Sequence, residues 1–76
     1  MGLEYKIKFP VKDKKRLENF LERISAASAE ESTIALEPDG FYFCDNCHDL
    51  SVASEVFYRL VKEALSQTAE VIICEL

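Results

Sequence analysis

Glycine and proline are nearly missing from this chain, with two of each in 76 residues. Gly2 and Gly40 are the only glycines, so neither a phosphate-cradling P-loop nor a G-x-G-x-x-G dinucleotide turn can be written. Tryptophan is missing, and His48 is the sole imidazole. No apolar run approaches the roughly 18 residues of a membrane span, and no secretory h-region opens the chain. These lacks set the expectation of a cytoplasmic, non-membrane protein whose three cysteines stay reduced. Positive charge is also missing over a long stretch, since no Lys or Arg stands between Arg23 and Arg59.

What is present is the composition of a globular chain, 49% hydrophobic and 30% charged. A chain of this size buries only about 62% of its extended surface, so the core is thin and one domain is the limit. Residues 1–23 hold seven Lys/Arg and four Asp/Glu, net +3, whereas residues 24–76 hold two and ten, net −8. The acidic stretch carries Glu30, Glu31, Glu37, Asp39, Asp45, Asp49 and Glu55. Its field repels nucleic acid and anionic membrane and attracts basic surfaces.

The hydrophobic periods predict six elements. Leu3, Tyr5, Ile7 and Phe9 alternate with Glu4, Lys6 and Lys8, the period of a half-buried strand over 3–9, and Pro10 ends it. Asp13 caps a helix over 13–26, whose Leu17, Phe20, Leu21 and Ile24 share one face. Strand runs at 33–37 and 41–45 flank Pro38-Asp39-Gly40, where proline fixes φ and glycine accepts a positive one. Asp49 or Ser51 caps a second helix over 51–66 with the rows Val52/Val56/Leu60/Ala64 and Ala53/Phe57/Val61/Leu65. The β-branched run at 70–75 closes the chain as a last strand.

The order β-α-β-β-α-β matches the split-βαβ, or ferredoxin-like, α+β arrangement. Right-handed crossovers then put both helices on one face of a four-stranded antiparallel sheet in the order 4-1-3-2. The other face is left uncovered, with Lys6, Lys8, Tyr42, Cys44 and one parity of the last strand, and it invites a second subunit or another partner.

Cys44-Asp45-Asn46-Cys47-His48 has the C-x-x-C-H spacing of c-type haem attachment. Haem attachment follows export, and the chain offers neither an export signal nor a second histidine, so no cofactor is expected. A tetrahedral metal site would draw on Cys44, Cys47 and His48 with Cys74 as fourth ligand. In the expected order the strands of Cys44 and Cys74 flank the first strand, about two strand spacings or roughly 10 Å apart. A thiol-redox use of the same motif gains from Cys47 lying just before a helix N-terminus, against the opposing charges of Asp45 and Asp49. Cys44 as a small strand residue and Cys47 and His48 as loop residues is the plainer expectation.

Gly40-Phe41-Tyr42-Phe43 is similar to the third-strand aromatic motif of single-strand RNA-binding domains. It departs from that motif at Asp39, where a basic residue belongs, and at Tyr42, where a small one does. Phe41 and Phe43 are therefore expected in the core, with no nucleic-acid partner. The functional expectation is a small acidic, non-enzymatic protein-binding domain that meets a basic partner, with Glu37, Asp39, Asp45 and Asp49 supplying the field and Tyr42 an aromatic anchor. Neutralisers of basic nucleases, of the immunity or antitoxin type, are one instance of such matching. The alternatives are a thiol or metal protein built on Cys44, Cys47 and His48, and a homodimer through the open sheet face.

Overall fold

A computed structural model describes residues 3–28, 32–46 and 50–76 of the chain. Its elements are β1 (Leu3–Lys8), α1 (Lys14–Ser28), β2 (Ser32–Glu37), β3 (Gly40–Asp45), α2 (Leu50–Leu65) and β4 (Ile72–Glu75). The strands form one antiparallel sheet in the order β2-β3-β1-β4, which is the expected 4-1-3-2 read from the other edge. This is the ferredoxin-like α+β layout. The element bounds differ from the sequence reading by one or two residues, β4 starting at Ile72 rather than at 70.

Local chemistry explains the element ends. The Asp13 carboxylate accepts the Arg16 N–H at 3.1 Å, and its carbonyl takes the Leu17 N–H, so Asp13 is the N-cap of α1. Ser51 lies inside α2 rather than before it, and Asp49 lies outside the described residues. With no glycine to end α2, the Ser66 hydroxyl donates to the Glu63 carbonyl at 2.6 Å, and the Ser66 and Gln67 amides take further end carbonyls. In the β2–β3 hairpin, Gly40 has φ +148°, and a Cβ there would come within 2.0 Å of the Ile7 carbonyl oxygen. Only glycine lets β1 approach the turn this closely.

One parity of the sheet meets the helices. Ile7 and Phe41 from the sheet, and Leu17, Leu60 and Ala64 from the helices, are fully enclosed. Rings fill the space between them, with Phe9–Phe41 at 5.1 Å, Phe43–Phe57 at 5.1 Å and Tyr5–Phe57 at 5.5 Å between centroids. Phe41 and Phe43 thus serve the core, as expected.

Candidate interaction surface

The opposite parity of the sheet faces away from the helices. Register places Lys6 between Tyr42 and Cys74, Glu4 beside Cys44, and Glu37 across Gly40 from Lys8. Alternation alone makes Lys6 a solvated residue, yet its side chain is 11% exposed. Its ammonium reaches diagonally over β3 to the Glu37 carboxylate and to Asp39 Oδ1 at 2.6 Å. Gly40, which has no side chain, sits in that lane between Lys8 and Glu37. The Asp39 and Glu37 partners hold the Lys6 ammonium above the usual lysine range, against the desolvation that lowers it. Lys6 in turn keeps the Asp39 carboxyl below its ordinary value.

The second ordered pair on this face is Tyr42 and Glu4. The Tyr42 hydroxyl donates to Glu4 Oε1 at 2.6 Å, a charge-assisted bond. That bond is the main reason the phenol is raised above its ordinary value, with desolvation and Cys44 adding to it. The Tyr42 side chain is half-buried.

The residues singled out from sequence are only partly brought together. Glu37, Asp39 and Tyr42 lie on or beside the open face, with Glu37 and Asp39 already engaged by Lys6. Asp45 shares the parity of Phe41 and Phe43, is 7% exposed and lines a groove under α2, so it lies on the other side of the sheet from Tyr42. Asp49, Cys47 and His48 lie outside the described residues. Among the described residues of the acidic stretch, Asp45 lies on the other side of the sheet from Glu37, and Glu55 on α2 pairs with Arg59 at 3.2 Å, so these do not form one patch. Arg23 and Arg59, which bracket that stretch in sequence, line one cleft between the helices.

Cys44 and Cys74 are both free, half-buried and on the open face. They flank β1 opposite Glu4 and Lys6 respectively, so two strand spacings and a two-residue offset separate them by about 12 Å. A disulfide requires Cα atoms within about 7 Å, so these two cannot bridge within one chain. Among the described residues no group of three or more His, Cys, Asp and Glu is arranged to hold a metal ion.

The last strand and its neighbours form an apolar flank. Leu3, Tyr58, Leu65, Ile72, Ile73 and Leu76 are the exposed large hydrophobic residues among those described. All belong to β4, to the residue after it, to the start of β1 or to the outer side of α2. Leu3, Tyr58 and Ile73 share the lining of a groove of about 590 Å³ between α2 and the sheet. Residues 71–74 are apolar on both parities, and an edge strand cannot bury both.

Comparison with protein-family models, with curated proteins and with solved structures gives no match. Among the described residues no helix is long and apolar enough to cross a membrane.

Proposed function

We propose that this chain is a small non-enzymatic protein-binding domain of the cytoplasm that presents its open sheet face to a basic partner. The observation that carries the reading is Tyr42, an aromatic side chain on an uncovered face, fixed by its 2.6 Å bond to the Glu4 carboxylate. An arginine or lysine of the partner can lie on that ring while its charge meets Glu4, a cation–π contact with a carboxylate beside it. Glu37 and Asp39 at the hairpin end are offset by Lys6 and the nearby Lys8 of the same face, which leaves the Glu4 carboxylate beside Tyr42 as the excess negative charge. The chain's net charge of −5 favours the encounter at longer range. Lys6 pairs with Glu37 and Asp39, and Glu4 accepts from Tyr42, a pattern suited to contact rather than to acid–base chemistry.

Affinity capture from the source cells, with the wild type and Tyr42→Ala as parallel baits, tests this reading. The expected result is a basic protein held at about 50 mM salt, released by about 300 mM and lost with Tyr42→Ala. Capture that is indifferent to both salt and Tyr42→Ala refutes it.

A further inference from the structure

The flank around β4 lies at the edge of the sheet, away from Tyr42 and Glu37, and its backbone geometry is specific. The Leu76 N–H donates to the Glu4 carbonyl at 2.9 Å, continuing the register that pairs Cys74 with Lys6 and Ile72 with Lys8. In an antiparallel ladder, hydrogen-bonded residues alternate with residues that turn their groups the other way. Ile72, Cys74 and Leu76 therefore bond inward to β1. Ile73 and Glu75 turn their N–H and C=O groups, and Val71 just before the strand its C=O, out to a free edge. This edge lacks the lysine or proline by which edge strands usually prevent pairing. At the opposite edge, Ile34 and Leu36 of β2 are half-buried against the core.

We propose that this edge pairs antiparallel with the same edge of a second copy of the chain, about a two-fold axis through Ile73, to make one eight-stranded sheet. Three features point to a second copy rather than to an unrelated strand.

The outward-turned groups are symmetric about Ile73. With Val71, the residue before β4, drawn into the ladder, pairing Ile73 with its counterpart sets Val71 against Glu75 on both sides and closes six backbone hydrogen bonds, whereas an axis on Ile72 or Cys74 closes four. An isologous contact needs this self-complementarity.

The charges also fit. No carboxylate falls opposite another, since Glu75 meets Val71 and Glu70 meets Leu76, and like charges directly opposed would destabilise the pair.

The third feature is area. A standard interface covers about 800 Å² on each partner, which is about one sixth of the 4931 Å² exposed by this chain. The paired strands cover too little alone. Tyr58, Leu65 and Leu3 extend the contact on the helix side, and Ile72 and Leu76 extend it on the open side. The two open faces then lie side by side on one continuous sheet, so this pairing leaves the surface proposed for a basic partner free.

Sedimentation of the wild type, Ile73→Pro and Ile72→Cys tests the pairing. Proline at Ile73 removes an N–H that β1 does not use, and edge strands tolerate proline, so the subunit keeps its fold by circular dichroism. It removes two of the six bonds of the pair, and the expected rise in dimer dissociation constant is at least about 30-fold, or about 2 kcal/mol. In the proposed register Ile72 faces Cys74 of the second copy in a close, non-hydrogen-bonded pair. Mild oxidation of Ile72→Cys should therefore give a covalent dimer that Ile72→Cys/Cys74→Ser does not. That cross-link decides the matter even if Ile73→Pro fails to fold. A wild type that is monomeric at several hundred micromolar overturns the proposal. So does a dimer that survives Ile73→Pro without the cross-link, which would place the contact on the open face. Cross-linking of the wild type through Cys74 alone moves the axis off Ile73 and also overturns it.

Discussion

Replacing Gly40 with alanine probes the tightest contact in the sheet. The added methyl would stand 2.0 Å from the Ile7 carbonyl oxygen and 3.0 Å from both the Ile7 carbonyl carbon and Lys8 Cα, all of it backbone that no rotamer change can move. Two costs add. Holding a non-glycine residue at φ +148° costs about 1–3 kcal/mol. Relieving the clash means pushing β1 off β3 next to Ile7 and Phe41, both 0% exposed, and a forced shift in a packed core costs about 1–3 kcal/mol. The expected loss is about 4 kcal/mol, against about 4–11 kcal/mol of total stability for a domain of this length. Thermal unfolding followed by circular dichroism should show a fall of about 15–30 °C in Tm. A variant within about 1 kcal/mol of wild type by urea titration would refute the claim that β1 and the turn are held this close.

Acid and base should titrate the Lys6 cluster from opposite ends. The Asp39 carboxyl is held below its ordinary value, so its contribution is present above about pH 4 and is lost as pH falls through the depressed value. Lys6 is raised, so its contribution is complete below its ordinary 10.5 and is lost as pH climbs through the higher folded value. The stability gap between wild type and Asp39→Asn in urea should be level from about pH 5 to 10 and shrink toward pH 2; a gap as wide at pH 2 as at pH 7 counts against the ion pair. The ultraviolet titration of the three tyrosines should contain one phenol that ionises later than an ordinary tyrosine, and Tyr42→Phe should remove that late step; an unchanged late step would show that the Glu4 bond is not what protects it.

The layout was legible because each element carries its own period. Residues 3–9 alternate, the rows Val52/Val56/Leu60/Ala64 and Ala53/Phe57/Val61/Leu65 mark one side of a helix, and Pro38-Asp39-Gly40 is a turn with a mechanism. The site was less legible. Parity already assigns Asp45 to the side of Phe41 and Phe43, and grouping it with Tyr42 by charge overrode that signal. Lys6 is a different case, because its enclosure depends on the bare Gly40 lane and on carboxylates more than 30 positions away that only the register brings near. Charge counted along a chain does not report which side of a strand carries it.

The ladder between β1 and β4 joins Glu4 to Leu76, nearly the full span of the sequence. Loop-closure entropy makes such a pairing the slowest to form, so the unit of β2, β3 and β1 with its helices can assemble while the last strand is still undocked. β4 is short, contacts one neighbouring strand and keeps Ile72 and Ile73 substantially exposed, which makes it also the first piece to detach. Its amides should exchange with solvent deuterium well before those of β3 in the middle of the sheet. A partner that settles on that strand would act as a clasp, slowing the chain's opening without touching its core.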